Sequence, residues 1–407
     1  MVHQSFPPPP THPFKRLRIY DGLMMNARRW SLAHDYFRRR QNVHYQSLNQ
    51  PGIVCGLGVK LIDAPAEVAA QFRDRRWLEI QPGIAIDVEG NPIVVDEETN
   101  RQYRLRTETP LTGTLTIYLV VSYLDPYSPD RQENSEEIRE WFRLDEKTSP
   151  PNDKEVELCR IKIQPGSVEL EHPTDLLFPE VNELDLRYRM QAKARPEAVV
   201  RVAQIKESET DEWYESRQNM SDRATKSLSY LMQSVSVLYP VLQGQTQIGQ
   251  VSLQPPEDLA AYDLLYLTDR QLVELNEEEI YAVYQYQKNG GLILIDAVSN
   301  DDLLLKTATE IIFHELETNL QYWQDLSDNH PLITQPFLFA ALPIINQAPV
   351  QIWNGGGVIL VTGYLSAAWG LNEQLYIDRN DIRTAQELGI NILHFAWRRR
   401  QIAQLIQ

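Results

Sequence analysis

From Asn26 to Leu48 the chain reads NARRWSLAHDYFRRRQNVHYQSL, with Trp30, Ala33, Phe37, His44 and Leu48 at near-helical spacing. That spacing predicts a helix with a core-like periodic face, packed inside its own domain or against another chain. The pattern then changes to alternation. RWLEIQPGIAIDVEGNPIVVD (76–96) predicts short strands broken at Pro-Gly and Glu-Gly-Asn turn signals. TLTIYLVVSYLDPY (114–127) predicts a longer, mostly apolar strand ending at a proline. ELCRIKIQPGSVELE alternates on both sides of Gln164-Pro165-Gly166-Ser167, a type II turn sequence with Gly where positive φ is needed. The stretch between these strands, about 125–154, is an acidic, proline-bearing loop.

Residues 181–220 are highly charged, with apolar content too low for a core, and are expected to connect two domains. Beyond them the pattern is different. A helix over about 221–239 precedes a short strand, QIGQVSLQ, and then YDLLYLTD (262–269). An acidic helix from Glu277 to Lys288 follows, with Asn276 and Glu279 placed as a capping box. GGLILIDAV (290–298), a long helix from Asp301 to Trp323, the strand GGVILVTGY (356–364) and a final helix from about Asn380 complete the chain. Short continuous apolar strands alternating with helices predict a parallel sheet covered on both faces. The expected fold is therefore an α+β N-terminal half, one long helix plus a strand-rich region, and an α/β C-terminal half with a doubly wound, mostly parallel sheet. The expected divisions are an extended proline-rich arm (1–17), a helix plus β-rich structural domain (18–180), the charged connection (181–220) and the α/β domain (221–407).

Composition narrows the functional classes. The 407 residues are 43% hydrophobic and 23% charged, as in ordinary globular proteins. A formal net charge of −17 argues against nucleic acid as a partner. The triplets Arg38-Arg39-Arg40 and Arg398-Arg399-Arg400 are local exceptions, expected on helices and solvated or paired with acidic neighbours. No uninterrupted apolar run approaches the ~18 residues of a membrane span, and the N-terminus shows no secretory h-region. Two cysteines, Cys55 and Cys159, make neither a disulfide framework nor a four-sulfur zinc site, which suits a cytoplasmic location. The prolines at 7–10 suggest an extended lead-in able to lie along another surface.

No complete catalytic constellation emerges. Cys55, in QPGIVCGLGV, sits in strand-like sequence with neither the helix N-terminus nor the cation that lowers a thiol pKa, so it is read as structural. The surrounding glycines then serve close packing or a bulge. GLGVKL lacks the helix and third glycine of a dinucleotide fingerprint, and His314-Glu315 is followed at 318 by Thr instead of a second zinc-binding histidine. Ser366 lacks the glycines of a nucleophile elbow. Asn289-Gly290-Gly291 and Gly355-Gly356-Gly357 precede strands and read as turns. Asp269 and Asp296 fall at the ends of apolar strands, at the edge of a parallel sheet where ligands bind, although both could instead cap a following helix. His330, in NHPL, could join them as a ligand-binding residue or serve as a cap. No catalytic residue, metal or cofactor is implied.

Two resemblances complete the reading. YDLLYLTD, KNGGLILIDAV, NHPL, GGVILV, AWGL and IRTAQELGINIL resemble, in order and spacing, an uncharacterised family whose fold is similar to class I glutamine amidotransferases. The resemblance implies a nucleophilic cysteine just after the strand following the Gly-Gly turn. That neighbourhood is Ile295-Asp296-Ala297, and no cysteine follows Cys159. YDGLMMNARRW, RRRQNVHYQSL, PGIVCGLGVKL and IQPGIAIDVEGNPIVV resemble proteins encoded with phage-tail-like contractile injection systems. Together the halves resemble a structural component of a cyanobacterial contractile injection particle, at the baseplate or its membrane-facing extension. The resemblance implies multiple symmetric copies, neighbouring particle subunits as partners and indirect membrane association. The rival expectation is a hydrolase or ligand-binding protein using Asp269, Asp296 and His330.

Overall fold

The structure, a computed structural model, describes all residues except 1–8, 100, 126–139, 167, 207–213, 254–255, 298–301, 346, 364, 371–376 and 407. It divides into two compact units, Met1–Arg195 and Pro196–Gln407.

The first unit is α+β. Its helix α1 (Ala27–Leu48) starts at Asn26, whose side chain accepts from the Arg29 N–H at 2.9 Å. The strands are β1 (Gly52–Gly56), β2 (Val59–Leu61), β3 (Trp77–Ile80), β4 (Gly83–Ile86), β5 (Pro92–Val95), β6 (Gln102–Arg104), β7 (Leu115–Leu124), β8 (Trp141–Lys147), β9 (Glu155–Ile163) and β10 (Leu184–Asp185). They form antiparallel sheets in the orders β1-β4-β5, β2-β3-β6 and β10-β9-β7-β8. One core joins them, with Ile53, Leu78, Ile80, Ile93, Leu119 and Ile161 all essentially inaccessible. The alternation read from the sequence supplies this core, because every second residue of β3 and β5 points inward, and β9 alternates on either side of the consecutive buried pair Leu158 and Cys159.

The helix packs outside the core of its own unit. No residue of α1 is buried, and Trp30, Phe37 and Leu48 are 60%, 69% and 53% exposed. What holds α1 is polar: the Asn42 and Asn91 side-chain amides meet at 2.7 Å, Gln46 Nε2 donates to the Val88 carbonyl, and Arg195 donates to the Gln46 carbonyl. Its periodic apolar stripe therefore faces away from that core.

The second unit is α/β. Its elements are β11 (Ala198–Val200), β12 (Val202–Ile205), α2 (Tyr214–Leu238), β13 (Leu242–Gly244), β14 (Gly249–Val251), β15 (Leu264–Thr268), α3 (Asp269–Glu274), α4 (Glu277–Lys288), β16 (Leu292–Ala297) and α5 (Asp302–His314). There follow β17 (Gln321–Tyr322), α6 (Pro331–Thr334), β18 (Ile344–Ile345), β19 (Ala348–Pro349), β20 (Gln351–Gly355), β21 (Val358–Thr362) and α7 (Arg379–Ile406). Seven strands make one sheet in the order β14-β12-β15-β16-β21-β20-β17. The first five are parallel, and β20 and β17 extend the edge antiparallel. Numbered along the chain, the parallel strands lie 2-1-3-4-5, a doubly wound order with its switch point between β12 and β15.

Alternation along the strands sorts the two faces. Leu264, Tyr266, Leu292, Leu294, Ile359 and Val361 pack with Leu231 and Met232 of α2 and Leu388 and Ile392 of α7. Leu265, Leu267, Ile293, Ile295 and Leu360 pack with Leu272 of α3, Val283 of α4 and Ile312 of α5 on the opposite face. Such continuous apolar strands are what a sheet covered on both sides requires.

Two boundaries and one set of partners differ from the sequence reading. Residues 181–220, expected as a connection, hold β10, β11, β12 and the start of α2, and the units divide after Arg195. The short apolar run AVVRVAQI, with Val200, Val202 and Ala203 buried, is the signal that the surrounding charge obscured. The helix expected over 301–323 ends at His314. Glu317 adopts φ 46°, and the Thr318 N–H bonds back to the Ile312 carbonyl at 3.0 Å, a turn that ends a helix and sends the chain into β17. Finally, Arg398-Arg399-Arg400 serve acceptors in place of acidic partners. Arg400 reaches the Ala260 and Asn289 carbonyls, Arg399 the Gln287 and Gly356 carbonyls, and Arg398 the Gln335 side chain.

Candidate functional site

The C-terminal edge of the parallel sheet gathers Asp269 and Asp296 but not His330. Asp296 is the fifth residue of β16, in register with Thr268 on one side and Val361 on the other. It is 2% exposed, and its Oδ2 accepts from the Tyr266 hydroxyl at 2.9 Å. Because β16 runs on to Ala297, Asp296 lies within the strand and caps no helix. Burial pushes the Asp296 carboxyl up to about 6, against the lowering influence of the Ser366 and Tyr266 hydroxyls and with a further raising contribution from the Asp269 charge. Its Oδ1 has no hydrogen-bond partner. The Tyr266 phenol is held well above its ordinary value, first by burial and then by the Asp296 charge.

Asp269 opens α3 without capping it. The cap is Thr268, whose hydroxyl accepts from the Gln271 N–H while the Gln271 side chain returns to the Thr268 N–H. Asp269 is also 2% exposed, and its Oδ1 accepts from the Arg270 N–H at 2.9 Å. It stands at the end of β15, beside the switch point of the sheet.

His330 is placed elsewhere. It is the N-cap of α6, with Nδ1 accepting from the Leu332 N–H, its ring 5.5 Å from that of Phe395 and its Nε2 3.3 Å from the Asn354 amide. Asn354 pairs with Ile359, near the start of β21, whereas Asp296 is in register with Val361, one residue before that strand ends. Burial alone lowers the His330 pKa, with no carboxylate contribution.

Sequence reasoning missed Tyr266 and the closeness of Ser366 to Asp296. The available signal was a tyrosine inside the apolar run LLYLT, two residues from the strand end and on the same face as the carboxylate. The cysteines are also settled. Cys55 is exposed on β1, while Cys159 is buried and its thiol is pushed up to about 12 by that burial. The flanking glycines matter for approach: a side chain on Gly56 would run into the Pro82 carbonyl, and one on Gly83 into the Cys55 carbonyl. Among the described residues, no group of three or more His, Cys, Asp or Glu side chains is arranged to hold a metal ion.

Chemically, the cluster sets the Tyr266 and Ser366 hydroxyls against a buried carboxyl that is more readily protonated than a solvent-exposed aspartate. The 2-1-3-4-5 sheet with helices on both faces defines the class of the second unit as doubly wound α/β. A family model described as "Domain of unknown function (DUF4159)" matches residues 201–397, from the residue before β12 to the last third of α7. The match covers just under half of the chain. No curated protein matches it.

Proposed function

We propose that this chain is a non-enzymatic structural subunit of a phage-tail-like contractile injection particle, of cyanobacterial type, at the baseplate or its membrane-facing extension. The observation that supports this reading is the N-terminal surface. Residues 9–26 run without helix or strand, and Ile19, Tyr20, Met24 and Met25 are 81%, 59%, 79% and 43% exposed. They continue into the exposed stripe of α1. An apolar surface of this extent is the mark of an interaction site. Among the described residues no helix is long and apolar enough to cross a membrane, so membrane association would come through the larger assembly. A cytoplasmic location fits this reading.

The rival, a hydrolase or ligand-binding protein at the sheet edge, draws on the unpartnered Oδ1 of Asp296. It is weakened because Asp296 and Asp269 are almost inaccessible and His330 is engaged as a cap. The deciding experiment is density-gradient sedimentation of native host lysate, probing each fraction for this protein. Cosedimentation with sheath and tube proteins at megadalton size supports assembly. Recovery only as free monomer or dimer, or a turnover abolished by Asp296→Ala, rejects it.

A further inference from the structure

The exposed residues of α1 have the spacing of a packing face. Trp30, His34, Phe37, Gln41, His44 and Leu48 are all exposed and recur at intervals of four, three, four, three and four residues. That is the narrow 3.5-residue stripe of a helix that packs against another helix. Its flanks are basic. The first 50 residues contain eight of the chain's 39 basic side chains and only two of its 56 acidic ones. Arg28, Arg39 and Arg40 are exposed, unlike the C-terminal arginine triplet, which is tied to acceptors within its own unit.

The complementary surface lies in the second unit. From Glu274 to Glu317 the sequence carries nine acidic residues besides the buried Asp296, against two basic ones. Helices α4 and α5 lie on the same face of the sheet, and the Tyr284 hydroxyl on α4 bonds to Glu317 just beyond α5 at 2.7 Å. Their outer surface exposes Glu277, Glu310 and Glu315 beside Tyr281 and Phe313, which are 63% and 56% exposed. One surface is basic and aromatic, the other acidic and aromatic.

From this complementarity we infer that the α1 stripe docks on the α4–α5 face of a second copy of the same chain. The inference rests on the assembly reading above and names its partner. A two-fold pairing of α1 with α1 is disfavoured, because it sets five arginines against five with a single aspartate on each helix. The contact is instead heterologous, and repetition closes a ring or extends a filament. Attraction between exposed charges of this kind is screened by salt.

Sedimentation velocity of the purified full-length chain at low and high salt tests this. The wild type is expected to sediment as an oligomer larger than a dimer at low salt and to dissociate at high salt. Arg39→Glu with Arg40→Glu removes the basic side, and Glu277→Lys, Glu310→Lys and Glu315→Lys together remove the acidic one. Each variant is expected to be a monomer with an unchanged circular dichroism spectrum. Mixed in equal amounts they pair native α1 with the native face and reversed α1 with the reversed face, so the mixture is expected to regain oligomers that neither variant forms alone. A wild type that stays monomeric at low salt, or a mixture that stays monomeric, overturns the inference. The lysate gradient then separates the two readings. Megadalton sedimentation with a monomeric purified chain leaves assembly standing with a different acidic partner, whereas a free chain in both removes both.

Discussion

The Tyr266 hydroxyl donates to Asp296 Oδ2 at 2.9 Å across adjacent parallel strands, with both side chains essentially buried. The pair is diagonal, since Tyr266 is in register with Leu294 and Asp296 with Thr268. Burial of the carboxylate outweighs the Ser366 and Tyr266 hydroxyls that favour its ionised form, and its Oδ1 has no hydrogen-bond partner. The fold therefore favours the protonated acid.

A pH dependence of stability follows from that preference. The Asp296 carboxyl titrates near 3.8 when free and at about 6 in the fold. Between those values the folded state keeps a proton that the unfolded chain has released, so its contribution to stability is present below about 4 and is lost as pH rises through about 6. The two-unit shift corresponds to about 3 kcal/mol. Urea unfolding of wild type and Asp296→Asn across this range should give curves that converge or cross as pH rises, with the variant gaining relative stability. Parallel curves would show that Asp296 ionises as freely in the fold as outside it.

Removing the donor acts on the same carboxyl. Tyr266→Phe leaves Oδ2 unpaired and is expected to cost about 1–3 kcal/mol. Because the two side chains touch, the effects of Tyr266→Phe and Asp296→Asn should not add. A double-mutant cycle by chemical denaturation measures the coupling. Additivity within experimental error would mean that the hydrogen bond contributes nothing to stability.

Asn391 clamps the loop after α6 to α7. It is fully buried, its Oδ1 accepts from the Phe337 N–H at 2.9 Å, and its Nδ2 donates to the Leu332 and Phe337 carbonyls at 3.0 and 2.7 Å. Asn391→Leu orphans three backbone groups and is expected to cost about 2–4 kcal/mol. Thermal or urea unfolding checks this, and a loss below about 1 kcal/mol would mean that water or a shifted backbone replaces the clamp.

Much of this architecture was legible because strand periodicity and capping chemistry are local. The Asn276 box on α4, the apolar run of β16 and the alternation of β3 to β5 all stand in the structure where their residues indicate. What was not legible depends on partners distant in sequence. A stripe such as Trp30–Leu48 has the same spacing whether it meets its own core or another helix. The bend at Glu317 needs a left-handed residue that no glycine announces. At the sheet edge, Asp269 and Asp296 could be placed from strand ends, but Tyr266 could not, since its partner is fixed only by strand order. His330 was expected either as a ligand or as a cap, and the structure places it on α6, engaged with Leu332 and Asn354.

Gly56 has a different sensitivity. It adopts φ 63°, and a Cβ there would strike the Pro82 carbonyl, whereas Gly113, at φ 75°, has open space around it. Gly113→Ala therefore carries only the left-handed backbone cost, about 1–2 kcal/mol, while Gly56→Ala adds a backbone clash and is expected to cost about 2–4 kcal/mol. Equal losses in paired denaturation curves would show that the β1–β4 contact yields without penalty.

The two thiols should differ sharply in reactivity. Cys55 is exposed on β1, and Cys159 is 1% exposed on β9 in the centre of the first unit's core. Thiolate is the reacting form, and burial pushes the Cys159 thiol up to about 12 from an ordinary 9. That shift cuts its thiolate fraction about a thousandfold at neutral pH, apart from the steric protection of the core. With an aromatic disulfide reagent, the native protein is expected to release one equivalent quickly and the second only on unfolding or through slow opening of the core. Cys55→Ser should abolish the fast phase and leave the slow one, and adding denaturant should merge the two in the wild type. Two equivalents released together from the native protein would mean that the β7–β9 core opens freely, against the burial of Ile117, Leu119, Leu158 and Ile161 around the thiol.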